Sequence, residues 1–271
     1  MNRRKFLQSG ATFASMSLLA SRGLAAQTAV PPAPLPPLPP AGADGWISLM
    51  NFKNLDGFYT MLQKSGKGVA EQKGIVTFED GMLHIMGNLV TDELAEPGYI
   101  ATNREFENYH LRAEYKWGEK RFPPRLNTKR DNGILYHLVG EDVVWPTCVE
   151  CQIQEGDDCD YYLLNGARAV PAHGDPVGGY GPDGKPVIGR KTKDEGGDFE
   201  NRGGWNLIEV IAQGDGSIQM LNGTMLNRIS GFQWKDPNAG GQWVPLTRGK
   251  VAIEIEFAEC WYRRFEIKAL A

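Results

Sequence analysis

Alternation of apolar and polar residues with a period of two is the strongest pattern in this chain, and no segment after residue 46 has a sustained helical period. From His110 to Trp117, apolar residues alternate with Arg, Glu and Lys, and a similar pattern returns from Val251 to Ala258. Successive side chains of a β-strand point to opposite faces. Each segment can therefore cover a core with one face and present polar groups on the other, which predicts antiparallel β-sheets.

Glycine residues and an Asn-Gly pair indicate tight turns between these strands. Glycine makes up 33 of the 271 residues, which exceeds the roughly 7% of average proteins. Asn222-Gly223 separates two apolar segments and predicts a type I′ hairpin, an interpretation that we favour over the glycosylation sequon formed with Thr224. The predicted fold class is all-β, a two-sheet antiparallel jelly-roll sandwich. Its predicted core includes Leu111, Ala113, Tyr115, Ile253 and Ile255.

The first residues are typical of an export signal. Arg3-Arg4 precede a modest apolar stretch, Ala11–Ala20, and a segment of small residues, Gly23–Ala26. The arginine pair resembles a twin-arginine signal, which exports proteins already folded. We therefore predict a signal peptide over residues 1–29, the twin-arginine export machinery as a partner, and a periplasmic or secreted location. The apolar stretch is too short to span a bilayer, so no stable membrane anchor is expected.

A proline-rich segment follows the predicted signal peptide. Residues 30–44 lack many backbone N–H donors because of their prolines, which predicts an extended polyproline II linker. Residues 45–271 are enough for one sizeable core. We therefore expect one β-sandwich catalytic domain in that range.

Charge and motif content exclude several classes of protein. The formal net charge is -4 at pH 7 and the isoelectric point is near 5.7, without a long basic run, so no binding of nucleic acid is expected. The chain has no Gly-x-Ser-x-Gly, no His-Glu-x-x-His and no phosphate-binding Gly-rich loop. The enzyme classes that depend on those motifs are set aside.

Three polar residues alternate in the segment 149–155. If this segment is a strand, Glu150, Gln152 and Gln154 share one face, while Cys151 and Ile153 share the other. The polar face indicates a sugar-binding or catalytic concave surface, and a solvated outer face is the alternative. The segment resembles the catalytic strand of laminarinase-type glucanases, but two of its three polar positions are glutamines. A glycosidase with two carboxylates on this strand is therefore not favoured.

Other polar residues are further candidates for a site, although each also has a structural interpretation. A lone histidine such as His137 is often a hydrogen-bonded structural residue. Arg263 alternates with apolar residues, so on an apolar face it would need a carboxylate partner. The remaining candidates are Lys116, Glu254 and Glu256.

Two further features point to ligands or cross-links without deciding between alternatives. The acidic turn 155–160 offers oxygen ligands suited to calcium, but its spacing does not match the helix-loop-helix calcium motif. The long span 166–204, rich in Gly, Pro, Asp and Lys, is expected to form one wall of a cleft. The four cysteines allow three disulfide pairings, or a zinc site as a weaker alternative: Cys148, Cys151, Cys159 and Cys260.

A series of short motifs extends from Trp46 to Ala271. The motifs are Trp46–Asn51, Asn54–Phe58, Gly98–Thr102, Tyr109–Lys116, Asp131–His137, Glu150-x-Gln152, Gly204–Asn206, Asn222-Gly223 and Tyr262–Ile267. In their order they resemble the motifs of the 3-keto-disaccharide hydrolase family, a family of secreted bacterial domains. The chain departs from the family at Ile253–Phe257, where carboxylates replace a glutamine and a histidine, and at His137, where the family often has arginine.

The resemblance implies a concanavalin-like jelly roll that acts on glycosides carrying a ketone at C3. The ketone acidifies the C2 proton, so a base can remove it, after which the enolate expels the group at C1 and hydration of the enone completes a net hydrolysis. Such a reaction needs a general base and a cation or donor near the enolate oxygen. A carbohydrate is therefore the expected substrate.

The resemblance and strand parity together suggest roles for individual residues. Glu150 or His137 would be the base, Lys116 and Arg263 would stabilise the enolate or carbonyl, and Gln152 would orient ring hydroxyls. Asp131 and Asn132 are expected to bind substrate. Glu254 and Glu256 would donate the proton or, together with His137, ligate a divalent metal acting as a Lewis acid, which the sequence does not establish.

Two other classes of function remain open. A non-catalytic carbohydrate-binding module would have the same sandwich and would use the glutamine-rich strand and the aromatic residues. A structural or surface-interaction domain tethered by the proline-rich linker is the third possibility. Binding modules normally accompany a catalytic domain in the same chain, which favours the enzyme.

Overall fold

Antiparallel strands form almost all of the regular structure of this chain. The computed structural model describes residues 35–89 and 95–270. The predicted signal peptide, residues 1–29, and the first part of the predicted linker lie outside the described residues. Among the described residues, no helix has the length and apolar character needed to cross a membrane.

The strands follow one another closely and are joined by turns and loops. In chain order they are β1 Ile47–Ser48, β2 Phe58–Leu62, β3 Gly66–Lys67, β4 Val76–Glu79, β5 Met82–Ile85, β6 Gly98–Glu107, β7 Tyr109–Arg121, β8 Asp131–Val139, β9 Thr147–Gln154, β10 Tyr161–Leu164, β11 Arg168–Ala169, β12 Val177–Tyr180, β13 Pro186–Val187, β14 Gly189–Lys191, β15 Asn206–Gln213, β16 Gly216–Leu221, β17 Thr224–Ser230, β18 Phe232–Asp236, β19 Gln242–Pro245, β20 Arg248–Ile255 and β21 Ala258–Ala269. A short 3-10 helix, Pro237–Ala239, precedes β19.

These strands build two large sheets and one small sheet, and every pairing is antiparallel. Sheet A has the order β17-β16-β15-β7-β21-β5-β4, with β1 added to β21. Sheet B has the order β14-β10-β9-β8-β20-β6-β2-β3, and sheet C has the order β13-β12-β11-β18-β19. The predicted all-β antiparallel sandwich is confirmed.

The hydrophobic core lies between sheets A and B. It contains all five residues predicted for it, namely Leu111, Ala113, Tyr115, Ile253 and Ile255. On β9, Cys151 and Ile153 belong to the core while Glu150 and Gln152 project from the opposite face of sheet B. We call that opposite face the site face. The strand parity predicted for β9 is confirmed.

The predicted hairpin is present in the structure, and the predicted long loop contains short strands. Asn222 and Gly223 connect β16 to β17 with φ angles of 51° and 82°, the left-handed backbone of a type I′ turn. The span 166–204 is more regular than expected, because it contains the short strands β11 to β14. One of its residues, Ile188, lines a pocket on the site face, so the span forms part of a wall as predicted.

The proline-rich segment differs from the extended linker that the sequence predicts. From residue 35 onward the segment lies against the sandwich, where the Arg104 guanidinium donates a hydrogen bond of 2.7 Å to the Pro36 carbonyl. This part is therefore not a free spacer.

All four cysteines are buried free thiols, so the disulfide alternative is wrong for each of them.

His137 does not lie where strict alternation along β8 would put it. The register of β8 shifts between Tyr136 and Val139, and His137 has a φ angle of 52°. This bulge turns His137 toward the core, where its ring contacts those of Tyr109 and Phe232. Neither ring nitrogen has a hydrogen-bond partner among the described residues. The prediction that His137 converges with Glu150 is wrong.

The buried imidazole of His137 should make the stability of the protein depend on pH. Burial lowers its pKa from 6.5 to about 4. Between these values the unfolded chain binds a proton that the folded chain does not, so stability falls as the pH drops from 6.5 toward 4. A shift of this size corresponds to about 3 kcal/mol. His137→Asn, which tolerates left-handed backbone, should lack this contribution.

Urea unfolding at pH 7 and at pH 4.5 measures the effect. The raised pKa values of Asp158, about 8, and Glu256, about 7, give the opposite pH dependence. The quantity to compare is therefore the change in unfolding free energy between the two pH values, in the wild type and in the variant. Equal changes in both proteins would contradict the prediction.

Candidate active site

A pocket of about 200 Å³ lies on the site face of sheet B. Its floor and sides carry four carboxyl groups, two glutamines and one arginine, and its rim is aromatic and apolar. The polar residues are Arg125, Asp131, Glu150, Gln152, Gln154, Glu254 and Glu256; the rim residues are Trp145, Tyr162, Leu164 and Ile188. The pocket brings together five of the nine predicted site residues: Asp131, Glu150, Gln152, Glu254 and Glu256.

The register of three neighbouring strands places these side chains together. On β9, Gln152 lies opposite Gly133 of β8, and Gln154 lies opposite Asp131. On the other side of β8, Ile134 lies opposite Ile253 of β20, which puts Glu254 beside Gly133. Carboxyl groups that are far apart in the sequence therefore meet around one glycine.

Gly133 leaves the space in which two of the carboxyl groups meet. A Cβ atom at this position would lie 2.8 Å from Glu150 Oε1 and 2.8 Å from Glu254 Oε2. Both distances are shorter than van der Waals contact, so a side chain on residue 133 would displace one or both carboxyl groups. The arrangement of the pair depends on the missing side chain.

Glu150 and Glu254 form a buried carboxyl pair. Burial raises the pKa of both groups well above the usual range, and the negative charges of nearby carboxylates raise it further. One oxygen of each side chain lies 2.8 Å from the point that a Gly133 Cβ atom would occupy, so the two carboxyl groups are close neighbours. Two carboxyl groups this close cannot both ionise readily, so ionisation of one member favours the protonated form of the other. One member is then an acid and the other a base.

Arg125 is the cation of the pocket and bridges two other carboxylates. Its Nη1 donates hydrogen bonds to both Asp131 and Glu256. Burial raises the pKa of Asp131 and brings that of Glu256 to about 7, while the charge of Arg125 opposes both shifts. Four carboxyl groups with a single arginine leave the pocket with more acidic groups than it can keep ionised.

The two glutamines hold Asp131 and leave a free acceptor. Gln152 Nε2 donates to Asp131 Oδ1 at 2.8 Å, and Gln154 Nε2 donates to Asp131 Oδ2 at 2.7 Å. The Gln152 Oε1 atom is buried and has no partner among the described residues. A buried acceptor without a partner costs free energy, and the hydroxyl group of a ligand in the pocket would satisfy it.

Four of the nine predicted residues lie elsewhere. His137 projects into the core, and Asn132 does so as well, because its Oδ1 accepts a hydrogen bond of 2.6 Å from Tyr262 OH. Lys116 lies on the outer face of sheet A beside Trp261. Arg263 is also on sheet A, where it donates a hydrogen bond of 3.0 Å to Glu114. Placing these four in one site with Glu150 is wrong.

The physical reasons differ among the four. Asn132 and Glu150 sit on neighbouring strands, and the register gives Asn132 the core face. Lys116 belongs to the sheet on the other side of the core, and alternation cannot distinguish the outer faces of two sheets. On β21 the register shifts between Tyr262 and Arg264, and Arg263 is exposed. The suggested metal ligand set of Glu254, Glu256 and His137 cannot form, because the histidine lies in the core.

The sequence did not identify several residues of the pocket, among them Arg125, Trp145 and Tyr162. Tyr162 lies directly across from Glu150 in the register of β9 and β10, so a correct pairing of these strands would have found it. Arg125 follows β7 in an irregular segment, and Trp145 lies in the connection between β8 and β9. Alternation carries no information about residues outside strands.

A second acidic cluster includes one residue of the turn 155–160. Carboxyl oxygens of Asp158, Asp198 and Glu200 lie within 4.8 Å of one another. Tyr115 OH donates to Asp158 at 3.0 Å, and Trp117 Nε1 donates to Glu200. A cation at this turn stays one of the alternatives that the sequence left open.

The fold and one family are shared with known proteins. A solved structure of a candidate glycosyl hydrolase from Parabacteroides distasonis is 20% identical, covers 84% of this chain and 95% of its own, and superposes with a TM-score of 0.51. Carbohydrate-binding module CBM66 from Bacillus subtilis is 7% identical, with 79% and 96% coverage and a TM-score of 0.48. A prokaryotic β-1,3-1,4-glucanase from a mouse hindgut metagenome is 10% identical, with 82% and 98% coverage and a TM-score of 0.46.

The sequence comparisons identify one family. The sequence model of the 3-keto-alpha-glucoside-1,2-lyase-like domain matches residues 45–268. No curated protein sequence matches the chain.

The shared proton of the carboxyl pair can be tested without a substrate. Replacing Glu150 by Gln removes the negative charge next to Glu254 and should lower the pKa of Glu254 by about one unit or more. The measurement is a pH titration of the carboxyl carbon chemical shift of Glu254 by NMR.

Glu105→Gln is a suitable control, because Glu105 lies at the surface in an ion pair with Arg248. This control should leave the pKa of Glu254 as it is in the wild type. If Glu254 titrates at the same pH in the Glu150→Gln protein and in the wild type, the two groups do not share a proton.

Proposed function

Because the chain belongs to the family of 3-keto-alpha-glucoside-1,2-lyase-like domains, we propose that it cleaves glycosides whose sugar ring carries a ketone at C3. The coarser conclusion from family membership is a carbohydrate-active enzyme of the glycosidase type. The finer proposal names the reaction: removal of the C2 proton, elimination of the C1 substituent and addition of water. A pocket with one acid, one base and one cation supports it.

The observation that carries the proposal is the buried pair of Glu150 and Glu254. A carboxylate whose pKa is raised by burial and by its neighbours is a stronger base than a solvated one. The C2 proton next to a ketone is acidic enough for such a base to remove. The protonated member of the pair can then deliver its proton to the departing oxygen at C1.

The electron flow balances without a further reagent. The base takes the C2 proton, and the electron pair of that bond forms the enolate of the C3 ketone. The enolate then reforms the ketone as the C1–O bond breaks, which leaves a double bond between C1 and C2 and releases an alcohol. Addition of water, with OH at C1 and H at C2, gives net hydrolysis.

Arg125 is the group we assign to the enolate oxygen, in place of Lys116 and Arg263. It is the arginine of the pocket, and Asp131 and Glu256 hold its guanidinium in a fixed position. A preorganised cation stabilises the charge that develops on oxygen in the transition state. Gln152, with its free Oε1, would accept a hydrogen bond from a ring hydroxyl.

The proposed chemistry predicts that both members of the pair are needed for turnover. Glu150→Gln and Glu254→Gln should each reduce turnover of a 3-keto-disaccharide by about 10²–10⁴-fold, the usual contribution of general acid–base catalysis. Proton NMR in deuterated water follows both the exchange at C2 and the release of product. Glycosides without the ketone should not react with any of the proteins.

Glu209→Gln is the matched control, because Glu209 pairs with His110 on sheet A and lies away from the pocket. It should keep the wild-type rate. Wild-type rates in both pair variants would show that the site is wrong. If the wild type binds sugars but never turns over a ketone-bearing glycoside, the protein is a carbohydrate-binding module instead.

We also propose that the twin-arginine machinery exports the protein to the periplasm or beyond. The support is the Arg3-Arg4 pair ahead of the short apolar stretch. Replacing both arginines by lysine should stop export while soluble, folded protein accumulates in the cytoplasm. Cell fractionation followed by immunoblotting measures the distribution, and undiminished export of the double variant would contradict the proposal.

A further inference from the structure

The connection between β8 and β9, residues 140–146, crosses part of the site face of sheet B. We call this segment the strap. Four residues on adjacent strands of sheet B form one row of cross-strand neighbours: Glu150 on β9, Leu135 on β8, Ala252 on β20 and Ala101 on β6. The last three lie beneath the strap. Cross-strand neighbours share a face, so these three side chains point away from the main core. Each is nevertheless 0% exposed.

The strap covers this row with two apolar side chains. Val144 and Trp145 pack against a second hydrophobic cluster that contains Leu135, Ala252 and Ala101. Trp145 also lines the pocket of the carboxyl groups. The same residue therefore covers one part of the site face and ends the pocket in that direction.

One carboxylate ties the strap to the far side of the sheet. Asp142 accepts hydrogen bonds from Tyr59 OH at 2.5 Å and from Lys67 Nζ at 2.6 Å. Lys250 Nζ donates to Tyr59 OH at 3.0 Å and lies 3.9 Å from Asp142. We call these four residues the latch. Its anchoring residues come from β2, β3 and β20, so the strap is held across several strands.

The row from Glu150 to Tyr59 spans five strands of sheet B: β9, β8, β20, β6 and β2. At about 4.8 Å per strand spacing, it is about 19 Å long. Alanines in the middle of this row would leave a trough if nothing covered them. With the strap in place, the open space is a pocket of about 200 Å³, which is smaller than the roughly 300–1,000 Å³ of most sites for drug-sized ligands.

We infer that the strap determines which glycosides the site accepts: it admits one terminal sugar ring and excludes longer chains from the row beneath Trp145. This inference rests on the proposed function in one respect, that the ligand is a glycoside. The latch of Tyr59, Lys67, Asp142 and Lys250 keeps the strap down. Small glycosides, rather than internal positions of polysaccharides, are then the substrates.

The test compares substrates of different length. In the wild type, kcat/KM should be much higher for a 3-keto-disaccharide than for longer 3-keto-oligosaccharides extended toward the strap. Trp145→Ala removes the side chain that closes the pocket and should raise the ratio of kcat/KM for the longer over the shorter substrate by about tenfold or more. Trp205→Ala, on the surface beside Arg263, should leave the ratio unchanged.

A second variant addresses the latch. Tyr59→Phe keeps the ring but removes the hydroxyl that contacts both Asp142 and Lys250, so the strap should open more often. Faster hydrogen exchange of the strap amides, together with a shift of the length ratio in the same direction, is the expected result. This conservative change keeps the inference testable if Trp145→Ala does not fold.

The inference and the proposed function can fail separately. If no protein turns over a ketone-bearing glycoside, the proposed chemistry fails, and calorimetric titration with unmodified sugars of increasing length still tests the strap. The inference is overturned if the wild type binds or cleaves short glycosides and glycosides extended toward the strap equally well. It is also overturned if the folded variants keep the wild-type preference for length.

Discussion

The register of β8, β9 and β20 is the constraint on which the rest of this structure depends. Both faces of these strands are buried in their middle, by the core on one side and by the strap and pocket on the other. A slip of one residue would exchange the two faces of a strand. It would put carboxyl groups into the core and take Gly133 away from the point where Glu150 and Glu254 meet. The same strand register therefore determines both the packing of the core and the arrangement of the pocket.

Alternation in the sequence was sufficient to predict the sandwich, the core residues on β7 and β20, and the face of β9 that carries Glu150 and Gln152. The predictions of the core residues and of the β9 face concern the parity of single strands, which is a local property. The faces on which His137 and Arg263 lie could not be predicted from alternation, because a bulge lies next to each residue. A bulge adds a residue and reverses the faces of the side chains that follow it. The local sequence pattern of these strands carries no signal for a bulge.

The electrostatics of the pocket could not be predicted because they arise between strands. Glu150 alone is a carboxylate on a strand with two glutamines, and its partner is separated from it by about a hundred residues in the chain. Only the pairing order β9-β8-β20 brings the two together. Arg125 and Trp145 come from connections, where neither spacing nor alternation constrains the direction of a side chain. The family resemblance suggested the proposed chemistry, whereas the structure shows which polar residues share one pocket.

The four buried thiols determine whether folding of the chain depends on oxidation. Burial raises the pKa of Cys148, Cys151 and Cys260, so these groups stay protonated and react slowly with oxidants. The covalent structure is therefore the same in a reducing compartment as in an oxidising one. Folding of such a protein requires no oxidation step, so the thiols set no condition on the redox state of the compartment in which the chain folds.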